Sequence, residues 1–112
     1  MRFVLDGEGA ARGAWTAEKR FQSHDGVLHG GIIAALLDSA MVHCLLLEGI
    51  SALTGRLSVR YFSPVRIGTK VTLEARIDRR TGRLFVMSAR AMDGGKVLAA
   101  AEGRLMRNGQ SD

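Results

Sequence analysis

The chain has 112 residues, a net charge of +5 and a pI near 10.3, and 46% of its residues are hydrophobic. This length supports one hydrophobic core and is too short for two, so we expect a single domain. Its one cysteine, Cys44, excludes a disulfide within the chain, and no apolar run follows a basic start at the N-terminus. These features favour a cytoplasmic protein over a secreted one.

The excess of arginine indicates anionic partners. Aromatic residues make up only 5% of the chain, and the sequence has neither a stacking motif nor a basic helix, so we expect no nucleic-acid partner. A phosphate-bearing small molecule, such as a nucleotide-tailed cofactor, would also explain the positive charge, and it needs a smaller binding surface than a nucleic acid. Solvated basic turns are the alternative for any single arginine. The histidines and Cys44 lack the spacing of metal ligands, so we expect no metal site.

The chain begins with a weakly patterned segment, residues 1–13, which is rich in glycine and alanine and predicts a loosely held lead-in. Apolar side chains at Trp15, Ala17 and Phe21 then indicate a strand over residues 14–21. Residues 22–28 are mostly polar and predict a loop that arrives at the start of a helix.

Within the stretch 27–49, residues 31–48 predict one long helix that is apolar almost all the way round, and Gly49 is a natural stop at its end. Between positions 31 and 48, only Asp38, Ser39 and His43 are neither aliphatic nor cysteine. A helix of this kind must be buried on most sides. About 18 residues span roughly 27 Å, which would also cross a bilayer, but a charge at the centre of a membrane helix costs roughly 2.5–3.5 kcal/mol. We therefore expect a core helix and no membrane partner.

After the helix, the hydrophobic period changes from 3.6 to 2, which predicts four strands. They cover about residues 56–63, 70–78, 84–92 and 97–106, and Asp93-Gly94-Gly95 is a strong hairpin signal between the last two. The small side chains of the last strand suit close approach of the helix or of another subunit. The whole order predicts an α+β fold, with a five-stranded antiparallel sheet curled around one long central helix. Because the helix has no polar stripe, we expect at least a dimer.

Two features of the helix indicate chemistry. At its start, His29-Gly30-Gly31 leaves backbone N–H groups without bulky side chains at the positive end of the dipole, which is the chemistry of an oxyanion hole. A plain turn into the helix is the alternative. Near its centre, Asp38 is a carboxylate in apolar surroundings, and such a group needs to be paired or held for a reaction.

With the segment FQSHDGVLHGGIIAALLDSA, this arrangement resembles the hotdog-fold thioesterases, and within them the PaaI-like (phenylacetyl-CoA thioesterase) branch. The matching elements are Gly26, His29-Gly30-Gly31, Asp38 nine positions after the histidine, and TGRLSVRYFSP over residues 54–64. The resemblance covers about residues 14–107. It divides the chain into the lead-in 1–13, one thioesterase-like domain at 14–108 and a tail at 109–112.

The resemblance implies an enzyme that hydrolyses an aryl- or medium-chain-acyl-CoA thioester and needs no cofactor, since coenzyme A is part of the substrate. It implies that the N–H of Gly30, beside His29, holds the thioester oxygen, and that Asp38 acts as general base or nucleophile. Thr54 would position the water. Ser23 stands where many members have an asparagine, which leaves open the alternative of a non-catalytic acyl-CoA-binding or sensing protein.

A hotdog hydratase is a further alternative, but Asp25 with His29 matches its pattern only superficially. For substrate binding, the resemblance implies contacts to pantetheine and nucleotide, mainly along the strand that follows the helix. The implied residues are Gly31, Arg56, Tyr61, Phe62, Ser63, Pro64, Arg66 and, as a phosphate partner, Arg83.

Helix geometry adds a condition on the site. Gly30 and Asp38 are eight residues apart, so on one helix they are separated by about 12 Å. Reacting groups must come within roughly 3–3.5 Å, so the site must combine Gly30 of one chain with Asp38 of another, on antiparallel helices. The family forms such dimers, and often dimers of dimers, so we expect a homotetramer. Thr54 has the strand parity of Arg56 and points away from the core unless a bulge intervenes.

Overall fold

In this computed structural model, the described residues are 2–24 and 26–108, so the tail expected at 109–112 lies outside them. One helix, α1, and eight strands are present in the described part of the chain. The strands are β1 Val4–Leu5, β2 Ala11–Thr16, β3 Gln22–His24, β4 Val27–Leu28, β5 Ala52–Tyr61, β6 Lys70–Thr81, β7 Leu84–Asp93 and β8 Lys96–Arg107, and α1 is Gly30–Leu46.

Six of the strands form one antiparallel sheet in the order β1-β2-β6-β7-β8-β5, and β3 with β4 forms a small hairpin in front of the helix. The predicted α+β class is therefore confirmed. The predicted number of five strands is wrong for the main sheet, because the N-terminal segment supplies the additional strand β1. Within the described residues, no helix is both long and apolar enough to cross a membrane.

The N-terminal segment is better ordered than its composition suggests. The first long strand, β2, begins at Ala11 rather than residue 14, and it ends at Thr16, before a short 3₁₀ turn at Lys19–Phe21. Ala11 is fully buried opposite Ala75, and the buried Phe3 ring stacks on His43. The expected loosely held lead-in and the strand at 14–21 are thus corrected. Alanine and glycine give little hydrophobic signal, although Ala11 is fully buried and the missing side chain of Gly13 leaves room for the Phe3 ring.

The helix is embedded in the concave face of the sheet, as its apolar sequence predicts. Its innermost side chains pack on fully buried side chains of β6, β7 and β8. The buried helix residues are Ile33, Leu37, Ala40, Met41, Cys44 and Leu45. Gly49, with a φ of +79°, follows the helix and donates its N–H to the carbonyl of Leu46 at 2.9 Å. The predicted helix and its glycine stop are confirmed.

The closest approach between helix and sheet is at Gly103 in β8. A Cβ atom there would lie 2.8 Å from the terminal methyl of Met41, so only glycine fits without movement of that side chain. Ala101 and Ala99, two and four residues earlier, are also buried on this face. The small residues of the last strand therefore serve the close approach of the helix, one of the two roles predicted for them.

Candidate active site

The start of α1 is capped by a histidine. His29 has extended backbone angles, and its Nδ1 accepts a hydrogen bond of 2.9 Å from the N–H of Gly31. Nδ1 must therefore be unprotonated, with the ring proton on Nε2. The carbonyl of His29 accepts from the N–H of Ile32, and its own N–H donates to the carbonyl of Phe21. These bonds anchor the turn that delivers the chain into the helix.

The N–H of Gly30, the first helical residue, has no acceptor among the described residues. The carbonyl of the same residue accepts a hydrogen bond of 2.7 Å from the hydroxyl of Tyr61 at the end of β5. A free N–H at a helix start, where the dipole is positive, is suited to hold an oxygen that gains negative charge. We call Gly30, His29 and Tyr61 the Gly30 half-site.

A second polar group lies further along the same helix. Asp38 is half-buried, and its Oδ1 accepts a hydrogen bond of 2.6 Å from the hydroxyl of Thr54 in β5. Its other oxygen, Oδ2, has no hydrogen-bond partner among the described residues. This carboxylate is thus held by one oxygen and open at the other. We call Asp38 with Thr54 the Asp38 half-site.

A β-bulge decides the orientation of Thr54. The pairing of β5 with β8 shifts between Thr54 and Arg56, which leaves Gly55 as an extra residue. An extra residue reverses the alternation on one side of it, so Thr54 faces the helix together with Leu57. The sequence predicted that Thr54 would point away from the core unless a bulge intervened, and this bulge is present. Strict alternation therefore does not hold in this strand.

A groove opens beside the Gly30 half-site. Its volume is about 240 Å³, and the surrounding residues are Leu28, Gly30, Ile33, Tyr61, Phe62, Ser63, Pro64 and Val65. A second hollow of about 270 Å³ shares three of these residues and continues to Arg66 and Lys96. The path therefore runs from a free N–H, along a mostly apolar wall, to a polar end where two cationic side chains and the carboxylate of Asp93 line the hollow. Lys96 was missed in the sequence, because it follows a glycine turn like any solvated basic residue.

Three of the residues expected in the site lie away from this groove. The hydroxyl of Ser23, in the β3–β4 hairpin, is exposed and has no hydrogen-bond partner in the described part of the chain. Arg56 lies on the convex face of the sheet, against Val86 and Arg104. Arg83 lies in the β6–β7 turn and donates to the carbonyl of Arg107. Asp25, the other residue of the hydratase pattern, lies outside the described residues.

The convex face of the sheet has a different electrostatic character. It carries a cavity of about 460 Å³ between Arg60 and Arg90, next to Glu74, which is 2% exposed. Burial raises the pKa of Glu74, but a hydrogen bond from Arg90 and the charges of Arg90, Arg12 and Arg76 outweigh it, and the pKa lies below its usual 4.5. This network ties β2, β6 and β7 together and is remote from both half-sites.

The two half-sites are separate within one chain. Gly30 and Asp38 belong to the same continuous helix, so the free N–H and the free carboxylate oxygen are about 12 Å apart along its axis. In the described residues, no group of three or more His, Cys, Asp or Glu side chains could hold a metal ion.

Comparison with known proteins assigns this arrangement to a family. The family model of the thioesterase superfamily matches residues 25–100, which include both half-sites. The chain therefore belongs to the thioesterase superfamily. Among curated proteins, the yeast MIOREX complex component 3 from Saccharomyces cerevisiae is 33% identical over 67 residues, which are 58% of this chain and 25% of that protein.

Solved structures share the fold over nearly the whole chain. The thioesterase superfamily protein RHA08564 is 27% identical with a TM-score of 0.86, over 95% of this chain and 52% of that one. The chain thus spans about a quarter of the curated relative and about half of RHA08564. Escherichia coli PaaI, from the phenylacetic acid degradation operon, is 20% identical with a TM-score of 0.86, over 94% and 81% of the two chains.

A fourth similar protein, smu.793 from Streptococcus mutans, was solved bound to acetyl CoA. It is 18% identical with a TM-score of 0.88, and the match covers 98% of this chain and 90% of that chain. Together with PaaI and the family match, it confirms the predicted hotdog fold of the PaaI-like kind.

Proposed function

We propose that this protein is an acyl-CoA thioesterase whose catalytic centre combines the Gly30 half-site of one chain with the Asp38 half-site of a second copy. The observation that carries the proposal is the free N–H of Gly30 at the head of the groove, in a chain that belongs to the thioesterase superfamily. A carboxylate with one open oxygen on the same helix supplies the second catalytic group.

Two unpartnered features of the chain support a symmetric dimer. Within the described residues, β5 pairs only with β8, so its other edge is free. The helix also has a stripe of small and apolar residues that passes beside Asp38, in which Gly31, Ala35 and Leu46 are exposed and Val42 is half-buried. A two-fold axis that pairs two β5 strands in antiparallel fashion also sets the helices antiparallel, so that Gly30 of each chain approaches Asp38 of the other. A homotetramer of two such dimers is part of the proposal.

In the proposed reaction, water adds to the thioester carbonyl while the open oxygen of Asp38 takes its proton. The carbonyl electrons move onto the oxygen, which the N–H of Gly30 and the helix dipole hold, an effect worth roughly 3–4 kcal/mol for one such donor. When the C–S bond breaks, the thiol leaves with the proton and the acid remains. Direct attack by Asp38, followed by hydrolysis of the anhydride, gives the same products.

The groove supports an acyl-CoA as the substrate. Its apolar wall at Phe62 and Pro64 suits the pantetheine arm, and Arg66 with Lys96 suits the phosphates at its far end. The acetyl CoA bound to smu.793, a protein of the same fold, supports this substrate class. We propose an aryl or medium-chain acyl group, and no cofactor besides the coenzyme A of the substrate. Arg83 and Arg56 lie away from the groove of their own chain. We therefore propose that they attract the phosphates of the substrate from the second chain or across solvent.

The test is thiol release from a panel of aryl- and alkyl-CoA thioesters by the wild type, Asp38→Asn and Asp38→Ala. We expect both variants to lose about a hundredfold or more in kcat, the scale of a lost general base. Asp78→Asn is the matched control, because this carboxylate accepts from Ser88 on the convex face of the sheet, away from the site.

No thiol release from any thioester by the wild type would overturn the proposal. If acyl-CoA still bound in that case, the protein would be the non-catalytic acyl-CoA-binding protein considered as the alternative. Ser23→Asn would then be the next variant, because it restores the amide that many family members carry at this position. A cytoplasmic location stays a prediction.

A further inference from the structure

We infer that Tyr61 is a positioning residue: with His29 it clamps the peptide between Gly30 and Gly31 and so fixes the direction of the Gly30 N–H. This inference rests on the proposed function, in which that N–H holds the thioester oxygen. It changes the role of Tyr61 from the substrate contact expected in the sequence to a support of the oxyanion hole.

The clamp restricts the conformational freedom of the two glycines at the start of the helix. Glycine loses more conformational freedom on folding than any other residue, and each glycine in a helix costs roughly 0.5–1 kcal/mol relative to alanine. Here two glycines follow each other in the first turn, where the helix supplies the fewest bonds of its own. An oxyanion hole requires a donor that is aimed before the reaction begins. The turn therefore needs restraints from outside the helix.

Both ends of the Gly30–Gly31 peptide carry such a restraint. The hydroxyl of Tyr61 donates to its oxygen at 2.7 Å, and its N–H donates to Nδ1 of His29 at 2.9 Å. The preceding peptide is held at its oxygen by the N–H of Ile32. Both peptide planes that flank the Cα of Gly30 are thus fixed, while the N–H of Gly30 itself has no acceptor among the described residues.

The packing of the two glycines agrees with this role. A Cβ atom at Gly31 would lie 3.1 Å from Nδ1 of His29, so a side chain there would push the imidazole off its acceptor position. A Cβ atom at Gly30 would lie 3.5 Å from the ring of Tyr61, in ordinary van der Waals contact. The tyrosine ring therefore rests on Gly30 while its hydroxyl reaches past it to the carbonyl.

The experiment is Tyr61→Phe, which keeps the ring and removes only the hydroxyl. We expect kcat to fall about 5- to 10-fold with KM unchanged, the effect of a hydrogen bond worth about 1 kcal/mol that matters only in the transition state. Ser58→Ala is the control, because it removes a hydroxyl from the same strand on the convex face. A raised KM with unchanged kcat would identify Tyr61 as a substrate contact and overturn the inference.

A second measurement does not depend on the reaction. Amide hydrogen exchange, followed residue by residue by NMR, reports how firmly the turn is held. We expect the N–H of Gly31 to exchange about 5-fold faster in Tyr61→Phe, while core amides such as that of Leu37 are unchanged. If the wild type hydrolyses no thioester, the proposed function fails, and this measurement alone decides the clamp. Unchanged exchange at Gly31 would overturn it.

Discussion

Gly30 has an open N–H and lies at a position of the helix that tolerates proline. It is the first residue of α1, where the N–H lacks an intrahelical acceptor, and proline is favoured at this position because its fixed φ already suits a helix. The preceding residue, His29, has a ψ of 132°, in the extended region that a residue before proline prefers. A proline at position 30 should therefore remove the proposed oxyanion donor and keep the helix.

We accordingly predict that Gly30→Pro folds normally and loses about 10²- to 10³-fold in kcat, the effect of deleting one oxyanion donor. Gly30→Ala is the matched control, since it keeps the N–H and its Cβ makes only an ordinary contact with Tyr61. Circular dichroism and thiol release on both variants are the measurements. Equal activity of the proline and alanine variants would show that this N–H is not the donor.

Some features of the candidate site can be predicted from the sequence and others cannot, because some depend on neighbouring residues and others on residues far apart in the chain. The Gly30 N–H and Asp38 follow from local signals, namely glycines at a helix start and a carboxylate in an apolar run. The orientation of Thr54 depends on a bulge at Gly55, which no local sequence pattern predicts. The bond from Tyr61 to Gly30 spans 31 positions, so it depends on how β5 passes the helix.

At the scale of elements, the alternation of apolar and polar residues was sufficient to predict the strands that are half-buried. The predicted strands after the helix correspond to β5, β6, β7 and β8, and the hairpin predicted at Asp93-Gly94-Gly95 joins the last two. Alternation failed at the N-terminus, where β1 is two residues long and the one fully buried residue of β2 is Ala11. The pairing of β1 with β2 and of β2 with β6 comes from the tertiary fold, which composition does not encode.

The fit of helix and sheet at Gly103 gives a stability prediction. Gly103→Ala would bring a Cβ atom against the end of Met41, and we expect it to lower the free energy of unfolding by about 1–2 kcal/mol through overpacking. Gly95→Ala, in the β7–β8 turn with nothing within 4 Å of the added Cβ, should change it by less than about 0.5 kcal/mol. Urea unfolding of both variants tests this, and equal stabilities would refute it.

The Glu74 network that joins β2, β6 and β7 predicts a pH dependence. Because the pKa of Glu74 is lowered in the folded protein, its contribution to stability is present above the usual value of 4.5 and is lost as pH falls through the folded value. Glu74→Gln should lower the free energy of unfolding at neutral pH by about 1–2 kcal/mol, since the arginines that it pairs with are about half exposed.

Unfolding midpoints between about pH 7 and pH 3 are the measurement, and the difference between wild type and Glu74→Gln should shrink as the pH falls. Glu102→Gln, at an exposed position on the same face, is the control and should follow the wild type. A difference that stays constant with pH would show that the charge of Glu74 does not support the fold.

At the scale of the whole molecule, the fold leaves one chain with two half-sites that cannot meet. The helix holds Gly30 and Asp38 about 12 Å apart, and β5 fixes each of them from the side, through Tyr61 and Thr54. The free edge of β5 and the open helix stripe are where a second copy would complete both sites at once. The sequence alone already predicts two subunits for a site that uses both groups, because the spacing on a helix follows from residue numbers alone.

The most direct test of this account is complementation between two inactive variants. Gly30→Pro and Asp38→Asn chains are unfolded together, mixed in equal amounts and refolded, and thiol release is measured. About half of the dimers then contain one chain of each kind, and one of the two sites in each of these is intact, so we expect about a quarter of wild-type activity. Activity no higher than that of the separate variants would contradict a site shared between subunits.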